Sequence, residues 1–364
     1  MKLEKLNIRV SAIVLAVLLL NIAAFQSLAI PTDFEGTPTT DWQEYFSFPI
    51  TANSATDYTV YKIEINGTTW KIYNASGDLE ISAENSNFWN LVKSDGSDIR
   101  VFNQQEQLYF WIENWTYTEQ YAIIWVNITA SSTELDIAYG NPSATASSYN
   151  VKSKIFELYD DFEDGTTQGW TYHASSNSII VDDISDVAPY EGTYCRYGAA
   201  YYGSDYGFTG SFTDYFEKSI TLSAGAYYIT LAIKQSVDDY ITADKSYVTC
   251  NSTEVASISS PGSEWQVLAG TFSLTNEALV VIDAKADFTV SDSLMSGAKN
   301  IKLDAAKIVK CDDLDFGTPS FKTFTSSSSG EGLHITLETD KLAYNESETI
   351  TVTAYLLNGA EYLS

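Results

Sequence analysis

From Asp41 onward the chain is written largely at period two. Tyr61, Ile63 and Ile65 fall on one side of a strand, and Lys62 and Glu64 on the other. Asn66-Gly67 supplies the positive-φ pair of a type I′ hairpin, and Trp70 and Ile72 lead the return strand. Alternation at that period puts one side of each segment in a core and the other in water, which only a half-buried β-strand can satisfy. Further strands are read at Ile99–Phe102, Leu108–Glu113, Tyr121–Ile128 and Leu135–Tyr139. Tyr121–Ile128 is apolar on both faces and so is expected in the middle of its sheet. No amphipathic helix of useful length breaks this region. From about residue 154 turn signals recur roughly every eight to twelve residues, the spacing of antiparallel sandwiches.

The expected fold is therefore all-β, tandem β-sandwiches behind an N-terminal signal peptide, with a jelly roll in the middle. A chain of 364 residues holds more than one core. One sandwich is read over 41–150 and a second over 154–316. Residues 30–40 form a Pro/Thr/Gly linker, and 317–330, with four consecutive serines, a flexible one. In 331–364 only two alternating strands follow, His334–Glu338 and Glu348–Leu356. Two strands cannot bury enough surface alone, so this tail reads as an incomplete Ig-like domain. Either the frame is cut short, or the strands are donated to a neighbouring copy, a self-association through the C-terminal strands.

The first residues read as an export signal. Lys2, Lys5 and Arg9 against Glu4 give a positive start, Val10 to Phe25 is apolar, and Ser27-Leu28-Ala29 has the small-x-small form of a cleavage site, which makes 1–29 the signal peptide. The competing reading is an uncleaved anchor over Val10 to Ile30. Either way the remainder lies outside the cell or on its surface. In that setting Cys195, Cys250 and Cys311 have material for one disulfide and one leftover thiol. Asn66, Asn74, Asn114, Asn127, Asn251 and Asn345 begin glycosylation acceptors.

Charge removes one class of partner. Lys and Arg number 20 against 48 Asp and Glu, a net −28, and the only arginines are Arg9, Arg100 and Arg196. Nucleic acid, which is held by clustered cations, is excluded. Two histidines, His173 and His334, leave little for metal or nucleophile chemistry, and no spacing marks a glycosidase carboxylate pair. The chain is read as non-catalytic.

The residues that carry chemistry lie in the second sandwich. Tyr194 to Phe216 is a run of rings among glycines and serines, and a ring beside polar groups suits a sugar's C–H face. Tyr197, Tyr201, Tyr202 and Tyr206 are the expected ligand-binding rings, and Arg196 the fork for hydroxyls or a uronate. The competing reading makes alternate members of the run ordinary core. Trp170 and Trp265 are expected to be buried. Asp160, Asp161, Glu163 and Asp164 crowd four charges into five residues, a potential oxygen cage for calcium or simply a solvated edge.

Two resemblances rest on motifs. Trp42, Ser97-Asp98-Ile99-Arg100, Tyr109-Phe110-Trp111-Ile112-Glu113, Ile124-Trp125-Val126 and Tyr139-Gly140-Asn141-Pro142 resemble, in order, an uncharacterised domain family of archaeal and some bacterial exported proteins. That likeness implies a surface β-domain of no established chemistry. Asp98 and Arg100, on one strand face, are read as a structural pin under an indole. Asp160 to Gly165, Gly169-Trp170, Tyr190 to Tyr194, Ile220-Thr221-Leu222, Gly225 to Tyr228 and Ile301 to Asp304 resemble a galactose-binding-like jelly roll, the fold of many carbohydrate-binding modules. The resemblance implies a structural Ca2+ held by Glu163 and Asp304, with Asp161 beside them. Ala305 departs from the pattern. The expected role is binding of a glycan or surface polysaccharide. The alternative is a structural component of the envelope, and a hydrolase is the weaker third.

Overall fold

The computed structural model describes residues 8–10, 31–104, 106–175, 179–203, 209–238, 241–291, 297–324, 333–339, 350–358 and 361–362. The described chain is nearly all strand, as the alternation required. The first sandwich contains β1 (Glu44–Asn53), β2 (Tyr58–Asn66), β3 (Thr69–Tyr73), β4 (Leu79–Glu84), the short α1 (Phe88–Leu91), β5 (Arg100–Phe102), β6 (Phe110–Thr116), β7 (Tyr121–Thr129) and β8 (Glu134–Tyr139). One sheet runs β4-β3-β2-β7-β6, so the doubly apolar β7 is interior. The facing sheet contains β1, β8 and β5. Between them Phe46, Phe48, Ile63, Ile65, Trp70, Ile124 and Ile137 are buried in one core. The hairpin differs from its expected turn. Only Gly67 takes a positive φ, 57°, and Asn66 stays in the ladder opposite Thr69.

The second sandwich is built from β9 (Leu158–Asp160), β10 (Thr171–His173), β11 (Ile179–Ser185), β12 (Cys195–Tyr202), β13 (Gly210–Leu222), β14 (Gly225–Val237), β15 (Ile241–Cys250), β16 (Thr253–Ser259), β17 (Gln266–Leu274), β18 (Ala278–Val290) and β19 (Gly297–Lys310). Its sheets run β11-β12-β19-β14-β17, with β9 also on β19, and β10-β13-β18-β15-β16. Leu231, Ile233, Val280, Ile282, Ile301 and Leu303 fill the space between.

Parts of both segments expected to be linkers are structured, while 325–330, with the four serines, lies outside the described residues. Phe34, in the 30–40 leader, is fully buried against Trp42 and Phe102, with ring centroids 5.0 and 5.1 Å away. After β19 the chain returns to the first sandwich. There β20 (Leu314–Phe316) and β21 (Ser320–Thr323), the latter inside the expected 317–330 linker, pair antiparallel with β1. The jelly roll is thus an insertion whose two ends both tie to the first sandwich. Its seam is aromatic and ionic. Phe156 packs against Trp111 and Trp125, Lys307 pairs with Glu113 at 3.2 Å, and Lys310 pairs with Asp57 at 3.0 Å.

Further on, Leu333–Thr339 and Ile350–Asn358 pair antiparallel, with Ile8–Val10 alongside the latter. The export signal otherwise lies outside the described residues. Among those described, no helix is long and apolar enough to cross a membrane. All three cysteines are free, which corrects the expected disulfide: Cys250 sits in the jelly-roll core and Cys311 against the seam. Asn127 is buried and donates to Lys154 O at 2.9 Å, so as folded its amide is closed to a glycan.

Candidate functional site

Strand β12 decides which of the expected ligand residues meet solvent. Arg196, Ala200 and Tyr202 point inward, while Tyr197 and Tyr201 stand on the outer face of the sheet. Two expectations are corrected here. Arg196 is 1% exposed, ion-paired to Asp182, and donates to Asp183 O at 2.6 Å and Trp170 O at 3.2 Å. Its guanidinium lies 5.2 Å from the Phe216 ring centroid. Every direction it faces is protein, so it holds the sandwich edge and cannot fork onto a sugar. Tyr202 is fully buried and gives its hydroxyl proton to the buried Asp214 carboxylate, which also accepts from Tyr172 at 2.9 Å. Tyr201 is 37% exposed, and Tyr206 lies outside the described residues.

On the outer face, register lines up a row. Asp183 on β11, Tyr197 on β12, Lys302 on β19 and Lys234 on β14 are successive cross-strand neighbours. The next row carries Ala199, Asn300 and Ser236. Strands are about 4.8 Å apart, so these side chains form a continuous floor. The turn after β11 rises beside it and encloses a cleft of about 410 Å³, lined by Ser185, Val187, Ala188, Tyr197, Lys234, Ser236, Asn300 and Lys302. Tyr197 is half-buried and donates to Asn300 Oδ1 at 3.0 Å, and its burial raises the phenol so that it stays protonated. Lys302 donates to Val187 O and sits 5.6 Å from the Tyr197 ring centroid. Outside the wall, half-buried Trp265 donates to Ala188 O at 3.1 Å and meets the exposed Tyr190 edge-on at 5.9 Å. Trp170 is buried as expected; Trp265, expected to be buried, braces this loop at the surface instead.

The acidic residues are arranged as acceptors of backbone N–H groups. Asp304 Oδ2 takes Tyr190 N at 2.9 Å and Glu191 N at 3.2 Å, and Oδ1 takes Ala305 N at 2.7 Å. Burial nevertheless pushes its carboxyl up to about 6. Glu163 Oε1 takes Thr193 N and Tyr194 N at 2.7 and 2.8 Å, and its carboxylate occupies the space where a Cβ at Gly192 would lie, 2.4 Å away. Asp161 is ion-paired with Lys152 at 3.1 Å. Glu163 and Asp304 both hold the loop at 190–194 with hydrogen bonds. Among the described residues no three His, Cys, Asp or Glu side chains group together.

His173 stacks on Tyr215 at 4.7 Å, in the sheet opposite Cys195, whose buried thiol is raised to about 11. The first-sandwich motifs meet one another. Asp98 accepts from Lys93 N at 3.0 Å, Gly140 N at 2.7 Å and Asn141 N at 3.2 Å, and its own carbonyl accepts from Trp42 Nε1 at 2.7 Å. Arg100 lies over the Trp42 ring at 5.2 Å and pairs with Glu35 at 2.9 Å. Glu113 faces the seam, bonded to Trp125 and Lys307.

Residues 95–173 match the family model described as a domain of unknown function, DUF2341. The match takes in the Asp98, Trp111, Trp125 and Asn141 motifs and leaves Trp42 outside. No curated protein matches the chain. Among solved structures, the CBM22-1 xylan-binding domain of Paenibacillus barcinonensis Xyn10C is 16% identical, covers 43% of this chain and 96% of its own, and gives a TM-score of 0.31. TmCBM61, solved with β-1,4-galactotriose, is 12% identical over 42% of this chain and 94% of its own, with a TM-score of 0.27. The tandem CBM22-1–CBM22-2 of the same Xyn10C is 8% identical over 74% and 79%, with a TM-score of 0.30.

Proposed function

We propose that the jelly-roll module binds a glycan, without turning it over, in the cleft floored by Tyr197. One observation supports this: an open cleft in which an aromatic ring stands beside an amide, hydroxyls and two ammonium groups. A pyranose offers C–H faces and hydroxyls together, and such a floor meets both. Tyr201 lies four residues along the same strand face, roughly 13 Å away at strand rise, within reach of one oligosaccharide. The first sandwich holds the module through both of its ends and the ionic seam, presenting the cleft at a fixed attitude.

Affinity electrophoresis of the full chain on a set of polysaccharides tests the reading. Tyr197→Ala should weaken retention by about tenfold or more, the size of one lost ring-and-hydroxyl contact. Far-UV circular dichroism should be unchanged, since the ring is outside the core. Retention that survives Tyr197→Ala undiminished removes the cleft from the reading.

A further inference from the structure

The cleft is lined by donors, in a chain that is otherwise rich in acceptors. The chain carries 48 acidic residues, yet none lines the cleft, whereas two of its 20 basic residues do. Several other lysines of the module are neutralised by carboxylates: Lys218 by Asp160, Lys245 by Glu254, Lys285 by Asp283, Lys307 by Glu113. Lys302 reaches only the carbonyl of Val187, and Lys234 has no hydrogen-bond or ion-pair partner among the described residues.

Several acceptors at the cleft already have a donor. Asn300 Oδ1 takes the Tyr197 proton, which leaves Asn300 Nδ2 as a donor. Val187 O is occupied by Lys302, Ala188 O by Trp265, and Ser185 O by the Cys195 thiol. The charged or amide groups that remain for a ligand are all donors, two ammonium groups and one amide N–H2, beside the Ser185 and Ser236 hydroxyls. Asp183, the nearest acid in the row, lies beyond the Tyr197 ring.

A neutral sugar lying on this floor would strip water from two cations and return only hydroxyl acceptors, a poorer exchange than an anion offers. An anion would return charge-assisted hydrogen bonds. The −28 of the whole chain does not prevent this, because at physiological salt charges more than about 8 Å apart are largely screened and the local lysines dominate. Building on the glycan reading above, we infer that the cleft selects an anionic glycan, one bearing the carboxylate of a uronate or a sulfate ester.

The test uses the full chain and glycan pairs that differ only in charge: oligogalacturonides with their methyl esters, and sulfated with desulfated galactans. Inorganic polyphosphate is added as a sugar-free polyanion. Titration calorimetry should show the charged member of at least one pair binding about tenfold or more tightly than its neutral twin, the size of one charge-assisted hydrogen bond. Whether the uronate or the sulfate pair responds identifies the anion. Lys234→Gln should bring the charged member to within about threefold of its neutral twin, since the ratio between the twins is set by the charged contact. Equal binding of charged and neutral twins overturns this inference and leaves the glycan reading standing. Polyphosphate binding as tightly as the charged sugar overturns it as well, since charge alone would then suffice. Binding to no member of any pair overturns the glycan reading and this inference together.

Discussion

Asp98 is where the strongest stability effect is expected. Its carboxylate, fully buried, is the only acceptor shown for three backbone N–H groups: Lys93 on one oxygen, Gly140 and Asn141 on the other. Asp98→Ala leaves all three without a partner in a place closed to water. Each orphaned donor costs about 1–3 kcal/mol; because removing the carboxylate also relieves its own desolvation, the low end of the sum, about 3 kcal/mol, is expected. For a cooperative unit of this size that is roughly a 6–12 °C fall in melting temperature. Asp98→Asn keeps one acceptor oxygen, best placed on Gly140 and Asn141, and turns its N–H2 toward Lys93, so it should fall between wild type and alanine. Near-UV circular dichroism melts, with its strong Trp and Tyr signals, read this directly. If Asp98→Ala melts within about 2 °C of wild type, or Asn is worse than Ala, the accounting of orphaned donors is wrong.

Three further outcomes are expected. Tyr202→Ala should cost about 3–5 kcal/mol by opening a core cavity, whereas Tyr201→Ala, next to it on the same strand but outward, should stay within about 1 kcal/mol; equal effects would mean that β12 is turned over. Burial lowers the Lys299 ammonium, which lies over the Phe288 ring at 3.4 Å and donates to Ala286 O, to about 7. Between pH 7 and about 9.5 the unfolded chain then holds a proton that the folded one has released, so wild-type stability rises with pH over this window, and the advantage of Lys299→Met should shrink; a pH-independent difference refutes it. Because Glu163 and Asp304 are satisfied by backbone N–H groups and Asp161 by Lys152, EDTA should move the melting temperature by no more than about 1 °C, and a fall of several degrees would establish the calcium that the family resemblance implies.

Much of the first sandwich was legible in the sequence because its alternation is clean. Tyr61, Ile63 and Ile65 are buried on the face they were assigned, and Trp70 and Ile72 follow them across the hairpin. The candidate site was not legible in the same way. Between Arg196 and Tyr202 there is no polar–apolar alternation to fix the face, so a one-residue slip exchanges core and surface. The structure shows Arg196 and Tyr202 inward and Tyr197 outward. The signal that could have helped lies on β19, where Asn300 and Lys302 alternate with Ile301 and Leu303 and mark an outward polar face.

Local order along the chain, then, was enough to determine strands and two cores, since period and turn chemistry act over a few residues. Only tertiary structure decided that β20 and β21 return to β1, that the leader buries Phe34, and that Tyr197, Lys302 and Lys234 share one row. Those are matters of cross-strand register between segments far apart in sequence, as with Leu314 opposite Asn53, and no local pattern encodes which strand will lie beside which.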